Sequence, residues 1–235
     1  MGGQRNLGAR FFRLKRQVMR LKPEVKFINI SRSAVNIPKA LTAWNNTTCL
    51  LSAQGFVAPI TQGSGVSDRI GDKIRVRSIV ITGTVTMPTQ SGKSVADVAP
   101  SVHLALVRKI HANGAVVDGA EVYANPLGSA DGMTAPLRTK QYMQDYNVMH
   151  ELTFAMPLPP LANDAATTGN IVQAGVHIPF KIVKTFPQGL VVKYKANTGA
   201  ATDMETNQID IIGAQSSSNH QLTISYNART QYTDV

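Results

Sequence analysis

Ten basic side chains fall within the first forty residues: Arg5, Arg10, Arg13, Lys15, Arg16, Arg20, Lys22, Lys26, Arg32 and Lys39. They face a single acid, Glu24. Ammonium and guanidinium groups crowded in this way repel one another unless a polyanion neutralises them. The stretch carries +9 of the net +10 of a 235-residue chain, so everything after residue 40 is nearly neutral. A pI near 9.9 points to nucleic acid or an anionic membrane, and gathering the charge in one arm sharpens that beyond the total.

Other residues whose types invite chemistry lack the partners it needs. Ser91-Gly92-Lys93-Ser94 copies the end of a phosphate loop, but the glycine required five positions earlier is Met87. The five histidines, at 103, 111, 150, 177 and 220, form no pair at metal-ligand spacing. His150 and Glu151 point to opposite faces of a strand and make no acid–base pair. Cys49 is the only cysteine, which excludes an internal disulfide and reads as a small buried hydrophobe. No serine–histidine–acid or paired-carboxylate spacing emerges, so the expectation is a structural protein and not an enzyme. Lys73, Arg75 and Arg77 share one strand face, where they would meet either nucleic acid or solvent.

A helix must position the arm's cations. Leu7, Phe11, Leu14, Val18 and Leu21 are spaced four, three, four and three, an a/d seam over about two heptads. Arg10, Arg13, Lys15, Arg16, Arg20 and Lys22 fall off that seam, mostly on the outer face. Pro23 ends the helix by disfavouring the helical conformation of Lys22. Such a helix is marginal alone, and it persists if a scaffold gathers several copies with polyanion outside. The rivals are a basic helix lying on a membrane, anchored by Phe11 and Phe12, and a disordered tail. Nucleic acid is preferred because no second membrane signal exists: no long apolar run occurs, and none follows the basic start as a signal peptide requires.

The chain therefore divides into an arm, 1–23, and a body, 24–235. The body is rich in Val, Ile, Thr and Ala, with 6% aromatics, as suits strands packed into a sandwich. Strands are expected at 24–30, 44–52, 73–87, 102–106, 148–156, 178–183, 190–194, 209–212 and 220–233. Ile74 and Val76 share one parity and Ile79, Ile81, Val85 and Met87 the other, which predicts a β-bulge near Arg77-Ser78. Val148, His150, Leu152, Phe154 and Met156 share one face. Phe186-Pro187-Gln188-Gly189, Asn113-Gly114 and Asp118-Gly119 read as turns, and 119–145 as loop. About eight strands with uneven connections and no repeat fit an all-β, eight-stranded jelly roll.

Taken in order, the features are the basic helix, Glu24-Val25-Lys26-Phe27, Gln62-Gly63, Arg69-x-Gly71-Asp72-Lys73, a long strand and Tyr232-Thr233-Asp234. This order resembles the small single-jelly-roll capsid proteins of satellite tobacco necrosis virus and of circular Rep-encoding single-stranded DNA viruses. The likeness is sharpest at 62–85 and 226–235. It implies a shell of sixty identical subunits in T=1 icosahedral symmetry, with the N-terminal helices gathered in threes, a trimer the heptad seam also permits. It further implies a single-stranded genome inside. Sixty arms at +9 would neutralise on the order of 500 nucleotides. The resemblance also implies structural calcium between subunits, held by the Asp234 carboxylate and the backbone carbonyls of Ile70 and Lys73. A second site of that family needs an acid directly after Gln-Gly, where this chain has Ser64.

The expectation is therefore a capsid protein, located in the virion and assembled inside the host cell. It self-associates and packages single-stranded nucleic acid, DNA in preference to RNA, through Arg5, Arg10, Arg13, Lys15, Arg16, Arg20, Lys22 and Lys26. No membrane partner and no required cofactor are expected. The alternative is a non-viral jelly-roll module that binds nucleic acid or carbohydrate.

Overall fold

The computed structural model describes residues 24–39, 43–44, 57–93, 100–112, 114, 117–129, 131–140, 143–157, 161–163, 171–173, 175–217 and 221–235. The arm lies outside the described residues, with seam positions Leu7, Phe11, Leu14, Val18 and Leu21 and cations Arg5 to Lys22. So does the strand expected at 44–52, apart from Trp44.

The strands are β1 (Lys26–Asn36), β2 (Lys73–Met87), β3 (Gln90–Lys93), β4 (Ser101–His111), β5 (Tyr123–Ala124), β6 (Leu137–Arg138), β7 (Tyr146–Ala155), β8 (Leu161–Asn163), β9 (Ile171–Gln173), β10 (Val176–Tyr194), β11 (Met204–Gln215) and β12 (Thr223–Asp234); one short helix, α1 (Gly119–Val122), precedes β5. Seven strands form one sheet in the order β1-β12-β2-β10-β11-β4-β7, antiparallel throughout. Strands β3, β9 and β8 make a small separate sheet.

The long sheet curls into a β-sandwich, because residues far apart in its order share one core. Ile79 and Ile81 of β2, Leu104 and Leu106 of β4, and Ile209 and Ile211 of β11 all belong to the same buried cluster. Strands β2 and β4 are separated by two others, so the halves β1-β12-β2-β10 and β11-β4-β7 must face each other. Burying each of these Ile and Leu side chains contributes about 1.5–3 kcal/mol. The first strand lies beside the last, and β2 between β12 and β10, the crossed connectivity of Greek keys and a jelly-roll-like order. Val57 ties the two halves: its N–H donates to Ile209 O at 3.1 Å, and its carbonyl accepts from Thr230 Oγ1 at 2.6 Å.

The predicted bulge is present. Ser78 pairs Gln231 and Val76 pairs Tyr232, which leaves Arg77 as the extra residue and sends both Arg77 and Ser78 away from the core. Other expectations need correction. Residues 186–189 are not a turn between two strands. They bulge out of the single strand β10, whose two parts both pair β2. Strand β1 runs on past residue 30 to Asn36, through an irregularity at Ala34 with φ +51°. Asp118 caps α1, its Oδ1 accepting from Ala120 N–H at 3.0 Å. Val148 sits on the opposite face from Leu152 and Phe154, because the register slips between its pair with Val107 and the His150–Leu106 pair. Ser91-Gly92-Lys93 lies within β3, not in a loop leading to a helix.

The two halves differ in what covers their outer faces. Against β11-β4-β7 the chain lays a second apolar layer, in which Trp44, Val122, Tyr123 and Met133 pack on Ala105, Val107 and Ile212. Strand β4 is therefore buried on both faces, and its Val102-His103-Leu104-Ala105-Leu106-Val107 reads as an almost unbroken apolar run. No described segment forms such a layer over β1-β12-β2-β10.

Candidate nucleic-acid interface

That bare face can be written out from the register. Phe27 of β1 lies opposite Gln231 of β12, which lies opposite Ser78 of β2 and then Thr185 of β10. The next row is Asn29, Arg229, Val80, Val183, and the third is Ser31, Asn227, Thr82, Lys181. Towards the start of β2 come Thr233–Arg75–Val191 and Lys73–Lys193. No Asp or Glu occupies any of these positions. Lys73, Arg75, Arg77, Lys181, Lys193 and Arg229 do, so the face is cationic without internal neutralisation. Lys193 is the exception: its Nζ lies 2.7 Å from Glu205 Oε1, and that hydrogen bond raises the lysine pKa.

Backbone detail places these cations. The bulge at Arg77 puts two neighbouring residues on one face, which regular alternation forbids. Gly189 has φ +75°, and a Cβ there would stand 2.2 Å from Arg75 Cγ, so the arginine stem lies across the glycine. The expected strand-face trio Lys73, Arg75 and Arg77 is thus brought together. Lys181 and Arg229 join it only through pairing between strands remote in sequence, a signal no local spacing carries.

Lys26 does not belong with the other predicted nucleic-acid ligands. It shares the inward parity of Ile28 and Ile30 and is 7% exposed. Its ammonium lies 2.8 Å from Asp234 Oδ2 and donates to Asp68 O at 2.9 Å. The other oxygen of Asp234 accepts from the Ile70 N–H at 3.0 Å. Asp234 and Ile70 therefore do meet, but through the amide and not the carbonyl, and a lysine cation already stands at the carboxylate. The residues as folded in one chain do not fit the expected calcium ion. Among the described residues, no three His, Cys, Asp or Glu side chains gather to hold a metal.

The loop before β2 is organised by two residues that sequence reading passed over. Asp68 accepts from Thr61 Oγ1 at 2.8 Å and from Gly65 N–H at 2.9 Å, which holds its pKa below the usual carboxylate value. Arg69 is 1% exposed and donates to the carbonyls of Ile60, Gly71 and Ala196, with its guanidinium 4.3 Å from the Tyr194 ring centroid. This is the physical content of Arg69-x-Gly71-Asp72-Lys73: a buried fork fastening the loop to the end of β10.

The covered half holds a buried imidazole and a buried carboxyl group. His103 is wedged between Trp44 and Tyr123, at 5.8 and 5.2 Å between ring centroids, and burial pushes its pKa down to about 4. Burial pushes Asp210 up to about 7, against the Gln208 hydrogen bond and the Lys109 charge. Glu151 faces away from His150, accepting from Arg138 Nη2 at 2.9 Å and from Tyr123 Oη at 2.5 Å. None of these lines the bare face.

No protein-family model matches the chain, and no curated protein matches it. Among solved structures, dimeric latent PorU from Porphyromonas gingivalis is 8% identical with a TM-score of 0.32; the match covers 91% of this chain and 13% of that one. A structure of infectious bursal disease virus is 12% identical at TM-score 0.31, over 89% of this chain and 32% of that one. The BFDV capsid protein, crystallised as a 60-mer, is 8% identical at TM-score 0.27, over 90% and 94%. The chain thus spans a third or less of the first two. At these TM-scores none of the likenesses carries an argument, and the β-sandwich rests on the strand order above.

Proposed function

We propose that this chain is a viral capsid subunit that self-assembles into a closed shell and packages single-stranded nucleic acid. The observation that carries the reading is the bare sheet face, cationic and with no Asp or Glu in its rows, on a chain whose first forty residues hold nearly all of its net charge. Two such surfaces on one small protein suit a polyanion held by charge, mostly without regard to sequence.

The finer reading is an eight-stranded jelly roll, sixty copies in T=1 symmetry with the arms gathered in threes, and DNA in preference to RNA. Pro38 O accepts from Gln215 N–H at one place on β11, and Val57 N–H meets Ile209 O at another. The strand expected at 44–52 falls between these anchors in sequence and, apart from Trp44, lies outside the described residues.

Light scattering on the purified protein tests assembly. Sixty copies of a 25.3 kDa chain make a particle of about 1.5 MDa, and a lone 25.3 kDa species at every ionic strength sinks the reading. Deleting residues 1–22 should leave a folded body that loses its packaged nucleic acid. Normal packaging by that deletion would assign the genome contact elsewhere. Digestion of the extracted polymer with DNase or RNase settles which nucleic acid it is.

A further inference from the structure

We propose that the groove between β1, β12 and β2 on the bare face is a subsite for an unpaired nucleobase, with Phe27 as its stacking platform. The inference rests on the reading above that nucleic acid meets this face, and it adds which part of the nucleic acid is held there.

The groove measures about 480 Å³, within the size range of small-ligand clefts. Its polar lining is oriented. Arg229 Nε donates to Asn29 Oδ1 at 2.8 Å, and because arginine can only donate, the Asn29 amide nitrogen must point the other way. Ser31 Oγ donates to Asn227 Oδ1 at 2.6 Å, and Ser78 Oγ to Gln231 Oε1 at 2.8 Å. Each amide carbonyl thus accepts one bond from within the sheet. The three NH2 groups have no partner among the described residues. Val80 gives the groove an apolar patch, and no carboxylate lines it.

Phe27, opposite Gln231 of the groove in the strand register, is 45% exposed, and the Arg229 guanidinium stands 5.1 Å from its ring centroid. The surface therefore offers a flat π-face, a row of donors and positive charge, with the Ser31 and Thr82 hydroxyls among its acceptors. The matching ligand has a flat face, acceptors along its edge and an anionic backbone. An unpaired base has all three. A duplex hides the face and pairs the edge. A carbohydrate has no anionic charge to answer the arginine.

The test uses the full chain, a fluorescein-labelled oligothymidylate, an abasic strand of the same length and a duplex. Wild type should prefer the base-bearing strand over the abasic one by at least about fivefold, the ratio a single base–aromatic stack supplies. Phe27→Ala should abolish the preference while leaving abasic and duplex affinities unchanged, and Phe27→Trp should keep it. If far-UV circular dichroism shows that Phe27→Ala has lost its β-structure, Asn29→Leu on the same exposed face takes its place, with the same loss expected. A preference that survives these variants belongs to Phe11 and Phe12 of the arm and overturns the subsite, as does equal binding of both strands by wild type. Failure of wild type to bind any of the three probes would instead overturn the nucleic-acid reading itself.

Discussion

The ammonium of Lys26 lies 2.8 Å from the carboxylate of Asp234, joining the first residue of β1 to the last residue of β12. The pair is 7% and 25% exposed on its two sides, so it is shielded mainly around the lysine. Removing the acid strands a buried cation, whereas removing the cation leaves a carboxylate that water can still reach. Asp234→Ala should therefore cost about 1–3 kcal/mol, and Lys26→Met distinctly less. Urea midpoints of the two variants decide it; an equal loss would mean that the Asp68 carbonyl alone keeps the lysine from being stranded.

Arg69 should be among the least replaceable charged residues of the body. Arg69→Met leaves three carbonyls without their donor, and Arg69→Lys cannot reproduce the planar fork. Each should lower stability by at least about 3 kcal/mol in thermal or urea unfolding. Near-neutral behaviour of the lysine variant would show that charge alone suffices.

Asp210 gives the body a pH dependence. Burial raises its pKa to about 7, so the folded state holds the proton more tightly than the unfolded chain, whose value is near 3.8. The stabilisation is complete below about pH 4 and is lost as pH rises through 7, by a few kcal/mol. The structure supplies a reason for the proton. Gln208 Nε2 donates to Asp210 Oδ2 at 2.7 Å, while Asp210 Oδ1 and Gln208 Oε1 lack partners among the described residues. A carboxylate would leave the buried Oδ1 charged and without a donor, which a proton on it relieves. His103 works the other way, lost to stability as pH falls from 6.5 through about 4. Asp210→Asn should therefore be more stable than wild type above pH 7. It should also uncover a fall in Tm towards acid that wild type partly cancels. Parallel pH profiles for the two proteins would contradict this.

The bare face predicts a salt effect separate from the base subsite. Changing Lys73, Arg75 and Lys181 together to Ala removes three cations that have no carboxylate partner among the described residues. The slope of log affinity against log salt should become shallower by about 2–3, equally for single-stranded and duplex probes. An unchanged slope would place every phosphate contact on the arm.

Parity made much of the body legible in the sequence. The bulge at Arg77 was readable because inward residues on either side of it change register within one strand. By the same logic Lys26 was readable as an inward residue, since it alternates with Ile28 and Ile30; counting it with the arm's charge hid that. Residues 186–189 misled because Pro187 and Gly189 are strong turn signals, while the pairing of both flanks with β2 is a property of a distant strand. Arg69 was opaque for a related reason. An arginine between glycines looks solvated until Tyr194 and Ala196, more than a hundred positions later, arrive to enclose it.

Strand β10 runs for 19 residues and pairs β2 along its length before meeting β11 at its end, at Lys193 and Tyr194. One strand, bulged at 186–189, is thus shared by both leaves of the sandwich, and they meet through ladder pairs at Lys193 and Tyr194. A load applied to the charged leaf passes into the covered leaf along main-chain bonds. Such a subunit should yield as a whole, with no weaker flap that peels away first.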